Sequence, residues 1–158
     1  MTMRPTLVFL GFLLITFAAA GIGGLFTGPG VRDWYPSLNK PTWTPPAWLF
    51  GPVWTALYLG MAVAAFLAWR RAGFDGARWA LVLFAIQLIL NAAWSWMFFW
   101  MHSPLLGLVN IVPQLLIVVA TIRAFWKVDK IAAWCLAPLG AWVAFATVLN
   151  FSIWWLNR

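Results

Sequence analysis

Five long apolar runs limit what this chain can fold into. Thr6–Phe26, Ala47–Trp69, Trp79–Trp100, Pro104–Phe125 and Ile131–Leu156 each reach the roughly 20 residues a helix needs to cross the hydrocarbon core of a bilayer. An open sheet cannot sit in lipid, because its edges would leave backbone groups unpaired, so each run is expected to be helical. The expected fold class is an all-α membrane protein, a five-transmembrane-helix bundle forming one domain over residues 1–158. Composition agrees: 65% of residues are hydrophobic and 8% charged, against about 25% charged in a soluble domain. The three acids, Asp33, Asp75 and Asp129, each sit beside a turn.

The net charge of +7 raises the possibility of nucleic acid. The basic residues, however, stand in ones and twos at the ends of apolar runs, a pattern of membrane topology and not of a phosphate-binding face. With five spans, one side carries Arg4, Arg70, Arg71, Arg78, Arg123, Lys127 and Lys130, and the other Arg32, Lys40 and Arg158. The positive-inside rule then puts the amino terminus in the cytoplasm, and the first loop and the carboxyl terminus outside. Arg4, the apolar run and Ala18-Ala19-Ala20 also fit a cleaved leader. The run continues through Phe26, longer than a usual leader core, which favours a span. Helical spans favour an inner over an outer membrane.

Start signals mark several helices. Thr44-Pro45 and Ser103-Pro104 place a hydroxyl before a proline suited to the first turn, and Asp129 is placed to cap the fifth helix. Three connections are short. The exception is 27–46, about 20 residues with five prolines, two glycines and three charges. A connection of that length in a compact bundle is expected to act as a lid. Trp34, Tyr35 and Trp43 argue against a floppy segment, and Arg32 and Lys40 are placed to meet acidic groups at a ligand's edge.

Conventional catalytic chemistry is missing. The single histidine, His102, has no acid near it in sequence, and no His/Cys/Asp/Glu cluster has metal-ligand spacing. His102 reads as a polar interfacial residue, and the lone Cys135 as a small apolar one. No ionisable residue lies in the middle of a span, which weighs against an ion-driven pump.

Tryptophan is abundant, at 14 of 158 residues. Those near helix ends fit interfacial belts. Trp54, Trp94 and Trp142 lie deeper. At about 1.5 Å per residue, Trp54 falls roughly 12 Å below the outer end of its helix, and the other two no deeper than about the midplane. Trp54, Tyr58 and Met61 share one helical face; Asn91, Trp94 and Ser95 share another; Trp142, Ala146 and Asn150 share a third. Asn91 and Asn150 need partners in the bundle interior. These faces can converge on a cavity for a large, flat, mostly apolar ligand, with ordinary interhelical packing as the competing reading. Pro52, Pro113 and Pro138 can kink helices 2, 4 and 5. Gly60 with Ala64, and Gly140 with Ala144, permit close helix contact within the bundle or across a dimer.

The stretch from Trp34 through Pro46, WYPSLNKPTWTPP, resembles the signature loop of the TspO/MBR family of translocator proteins and tryptophan-rich sensory proteins. The resemblance continues through Gly51–Tyr58, Leu90–Ser95 and Ala141–Asn150, and so covers essentially the whole chain. It implies a bacterial five-helix membrane protein, commonly a homodimer, that binds tetrapyrroles such as protoporphyrin IX and synthetic isoquinoline carboxamides and benzodiazepines. The pocket residues it implies are Trp54, Asn91, Trp94, Trp142, Ala146 and Leu149, to which Tyr58 is added from its shared face with Trp54. Trp54 and Trp142 match tryptophans linked to light-dependent porphyrin breakdown, and Ala146 matches a site where side-chain size affects binding. No obligatory cofactor is implied; the porphyrin would be ligand or substrate. A late cholesterol motif of the animal members is incomplete here, with Phe151 at its tyrosine position and Arg158 as the next basic residue. The leading expectation is therefore a membrane receptor and regulator of tetrapyrrole or stress metabolism. A light-dependent porphyrin-degrading enzyme and a facilitated transporter of tetrapyrroles or lipids are the alternatives.

Overall fold

A computed structural model describes residues 4–158. Five helices long and apolar enough to span a membrane make up most of it. They are α1 (Pro5–Asp33), α2 (Ala47–Gly76), α3 (Arg78–Ser95, continued by a π-helical segment Trp96–Trp100), α4 (Pro104–Val128) and α5 (Lys130–Leu156). Helix α1 packs on α2 and α3, α2 on α5, α5 on α4, and α4 back on α3. The helices thus close a ring in the order 1-2-5-4-3, and a ring of five leaves room at its centre. Large apolar side chains cover the outside, among them Leu14, Leu25, Leu116 and Ile131. Only a hydrocarbon solvent tolerates such a surface.

Short turns and their caps set the helix starts. The Ser103 hydroxyl accepts from the Leu106 amide at 3.2 Å, and Asp129 Oδ1 from the Ala132 amide at 2.9 Å, as expected of these two residues. Thr44 behaves differently. Helix α2 begins at Ala47 without a side-chain cap, and the Thr44 hydroxyl donates to the Pro41 carbonyl at 2.7 Å within the preceding turn. A two-proline step separates Thr44 from the helix, so its oxygen cannot reach the first free amides. At the far end of α2, Gly73 takes φ +67° and turns the chain before α3.

The largest correction concerns the first connection. Helix α1 does not stop at Phe26 but runs to Asp33, through Pro29. The segment outside the spanning helices is therefore 34–46, not 27–46, and it holds one 3-10 turn at Tyr35–Ser37. Gly28-Pro29-Gly30 reads as a helix breaker in water. Near an apolar bundle a helix satisfies its own backbone groups, and that outweighs intrinsic propensity. Gly30 is also where α1 meets the π segment: a Cβ there would stand 2.5 Å from the Phe99 carbonyl oxygen.

Other glycines set helix spacing. A Cβ on Gly60 would lie 3.1 Å from the Cys135 carbonyl oxygen of α5, and one on Gly140 would lie 2.9 Å from Ile122 of α4. Both glycines thus serve contacts inside the chain. Gly107 is tighter, with Phe98 Cδ2 at 2.7 Å and Asn150 Oδ1 at 2.8 Å from a built Cβ. Gly107→Ala should therefore destabilise the bundle by about 1–3 kcal/mol. Gly11→Ala, with nothing within 4 Å, should leave it nearly unchanged. Thermal unfolding of both variants in detergent checks the difference.

Candidate functional site

The centre of the ring holds a cavity of about 270 Å³. Each helix contributes to its wall, and Tyr35 does so from the connection after α1. Ala20, Gly23, Gly24, Thr27 and Val31 form the α1 side, and at the two glycines the backbone itself is wall. Helix α2 gives Phe50, Trp54 and Tyr58; α3 gives Asn91, Trp94 and Ser95; and the π segment gives Phe98 and Phe99. Helix α4 supplies Ile111 and Gln114, and α5 supplies Trp142, Ala146, Leu149 and Asn150. All seven ligand-binding candidates from the sequence, Trp54, Tyr58, Asn91, Trp94, Trp142, Ala146 and Leu149, line this one space. Met61, on the face of Trp54 and Tyr58, is fully buried below it and accepts a 3.1 Å hydrogen bond from Gln87 Nε2.

Aromatic rings hold one another around the wall. Trp54 leans on Tyr58 with centroids 5.6 Å apart, Trp142 meets Phe50 edge-on at 5.8 Å, and Trp94 stacks on Phe98 at 5.0 Å. The wider turn of the π segment lets the consecutive Phe98 and Phe99 both face inward. Such mutual packing leaves the ring faces pre-set, with little rotamer freedom still to lose on binding a flat molecule.

Few polar groups interrupt this wall, and their partners are specific. Trp94 Nε1 donates to Asn150 Oδ1 at 3.0 Å, and Asn150 Nδ2 donates to the Pro104 carbonyl at 2.8 Å. The Tyr58 hydroxyl donates to Asn91 Oδ1 at 3.3 Å. The interior partners that the sequence required of Asn91 and Asn150 are thus supplied by α2, α3 and α4. Among the described residues three buried side-chain polar atoms have none: Asn91 Nδ2, Gln87 Oε1 and Gln114 Oε1. Among the described residues no group of His, Cys, Asp and Glu side chains is arranged to hold a metal ion.

Of the five lid candidates only Tyr35 reaches the cavity. Its ring packs on Phe99 at 5.8 Å, and burial pushes its phenol pKa up. Trp34 stacks outside the cavity on His102, centroids 5.0 Å apart, and Trp43 packs edge-on against Phe145. His102 occupies the turn before α4 with φ +50°. Neither lid cation lines the cavity. Arg32 is exposed on the last turn of α1 and donates to its own helix, to the Gly28 carbonyl at 3.3 Å. Lys40 Nζ donates to the carbonyls of Tyr35, Leu38 and Pro36 at 2.8, 2.7 and 3.3 Å, and stands 4.9 Å from the Tyr35 ring centroid. Its three N–H groups are used inside the connection. Lys40 is thus a staple that ties 35–40 together beside Tyr35, which lines the cavity. Asn39 and Asn157 tie this segment to the end of α5 through a reciprocal pair of hydrogen bonds at 2.9 and 2.8 Å.

Sequence reasoning missed Phe50, Phe98 and Phe99, which are indistinguishable by type from lipid-facing phenylalanines. It also missed Gln114, for which a signal existed. The rule that singled out Asn91 and Asn150, a polar group in an apolar span, applies equally to Gln87, Asn110 and Gln114.

Replacing Lys40 by Met should remove the staple and leave the helices intact. Amide hydrogen exchange across 34–46 should rise at least about ten-fold, while exchange in the middle of α3 and α4 stays as it was.

The sequence profile of the TspO/MBR family matches residues 12–156. A Chlorobaculum tepidum protein named tryptophan-rich protein TspO is 46% identical over 144 residues, covering 88% of this chain and 89% of its own. The human translocator protein is 37% identical over 153 residues, covering 95% of this chain and 90% of its own. The tryptophan-rich sensory protein of Cereibacter sphaeroides is 38% identical over 147 residues, covering 92% and 91%.

Proposed function

The chain belongs to the TspO/MBR family, and from that premise we propose that it is a membrane receptor and regulator binding porphyrins such as protoporphyrin IX, and hydrophobic drug-like molecules, in its tryptophan-lined cavity. One observation carries this reading: three deep tryptophans from α2, α3 and α5 face a single space whose polar groups are few. Aromatic walls stack on a flat ligand, and sparse hydrogen bonds orient it. A two- or three-ring molecule fits the cavity whole. A macrocycle of four pyrroles exceeds it and extends toward the mouth, under the segment stapled by Lys40. Relatives bear names that speak of sensing and translocation, and a receptor for tetrapyrrole or stress signals agrees with the former. The proposal places the amino terminus in the cytoplasm and the Lys40 connection outside, following the seven-to-three basic asymmetry. It includes a homodimer, whose interface lies elsewhere than Gly60 and Gly140, since both contact other helices of the same chain.

A second reading, light-driven oxidation of a bound porphyrin by oxygen, is favoured by the presence of Trp54 and Trp142 on the same wall, where indoles can donate electrons to an excited ring.

Titration of the purified protein with protoporphyrin IX, followed by tryptophan fluorescence in the dark, tests the receptor reading. Saturable quenching is expected, with affinity falling about ten-fold or more in Trp54→Ala and in Trp142→Ala as a large stacking surface is lost. Unchanged affinity in both variants would remove the cavity as the binding site. Under illumination in air, loss of the porphyrin absorption band would promote the oxidative reading, and a stable band would discard it.

A further inference from the structure

The turn between α4 and α5 gathers positive charge around a pair of exposed tryptophans. Trp126, near the end of α4, is 46% exposed, and Trp134, one turn into α5, is 65% exposed. Their rings meet edge-on with centroids 6.2 Å apart, and Lys130 Nζ stands 5.7 Å from the Trp126 centroid. Arg123 and Lys127 lie one turn apart on α4, on the side that carries Trp126, and both are exposed, as is Lys130. Asp129, the acid between Lys127 and Lys130, is already engaged: its Oδ1 accepts from the Ala132 amide at 2.9 Å. The corner therefore keeps a positive surplus.

An apolar stripe leads away from these cations. Leu116 and Val119 are exposed on α4, seven and four residues before Arg123 and so on its face, and Ile131 is exposed beside Trp134 on α5. From Leu116 to Trp126 the helix rises about 15 Å, half of the roughly 30 Å hydrocarbon core. The stripe is thus as deep as one leaflet. None of these residues lines the central cavity. Membrane topology accounts for cations on this side, and interfacial belts for tryptophans. Their convergence on one stripe, one leaflet deep, matches a single lipid molecule.

We propose that the lipid-facing side of the α4–α5 hairpin binds one acidic phospholipid of the membrane that the chain spans. Its acyl chain follows Leu116 and Val119, and its phosphodiester sits among Arg123, Lys127 and Lys130. The charges are complementary, whereas a choline headgroup would bring its own ammonium among three cations. The two indoles, apolar with one N–H each, flank the glycerol and ester region between headgroup and chain.

The test is native mass spectrometry of the full-length protein titrated with dioleoylphosphatidylglycerol and dioleoylphosphatidylcholine, which share their chains and differ in headgroup. The wild type should bind its first phosphatidylglycerol about ten-fold more tightly than phosphatidylcholine. Lys127→Gln combined with Lys130→Gln should bring that ratio within about two-fold and keep the lipid-free melting temperature near that of the wild type, since both side chains are exposed. Arg70→Gln combined with Arg71→Gln removes the same charge from the α2–α3 turn and should keep the preference. Equal affinity for the two lipids in the wild type, or a preference that survives the double lysine substitution, overturns the site. An equal loss in the arginine pair assigns the preference to the diffuse charge of the whole face and overturns it too. If glycerol 1-phosphate, which carries the phosphate without chains, displaces phosphatidylglycerol at matching concentration, the occupant is a soluble phosphate ester and the lipid assignment falls.

Discussion

Helix α3 holds the ring together through a handful of buried amides and one indole N–H. In lipid the apolar surfaces of separate helices gain little from meeting, because the solvent outside is as apolar as the neighbour. Directional contacts must then fix which helix sits where. Trp94 of α3 reaches Asn150 of α5, which in turn reaches the Pro104 carbonyl at the start of α4. Asn110 of α4 donates to the Leu90 carbonyl of α3 at 2.8 Å, and Tyr58 of α2 donates to Asn91. Each bond crosses between helices, and four of the five helices are joined this way. The close approach that these bonds require is helped by glycine at Gly107, where Phe98 and Asn150 press on the α4 backbone.

The same contacts shape the cavity. A side chain that bonds across the ring cannot fill its middle, so Trp94 and Asn150 become wall instead of plug. Aromatic neighbours then set the orientation of each indole, and small residues of α1 leave the remaining space open. A receptor for flat ligands needs this combination of rigid faces and sparse polarity, and the bundle produces it as a by-product of the way its helices are tied.

Much of this was legible in the chain. Apolar run length located the helices, because a bilayer imposes a fixed span on every one of them. Helical period placed Trp54 with Tyr58, Asn91 with Trp94, and Trp142 with Ala146, and those faces do meet. What escaped was decided by three-dimensional context. Gly28-Pro29-Gly30 has the composition of a turn, yet it continues α1, and Gly30 lets that helix pass close to Phe99. Lys40 looks like a free cation until the fold of 35–38 turns three carbonyls toward it. Phe98 and Phe99 face inward together only because of a π turn, which no apolar pattern announces.

One helix stands apart from this scheme. The side-chain hydrogen bonds of Thr16, Thr27 and Arg32 all return to α1 itself, and among the described residues none reaches another helix. Dispersion contacts and close-fitting glycines such as Gly23 and Gly30 are what keep α1 in the ring. Mechanically, the barrel has four pegged staves and one that is only fitted. Tilting or sliding that stave exchanges protein contacts for lipid contacts of nearly equal worth and breaks no polar bond. The elasticity of the whole assembly, and its sensitivity to bilayer thickness and lateral pressure, is therefore concentrated along one seam.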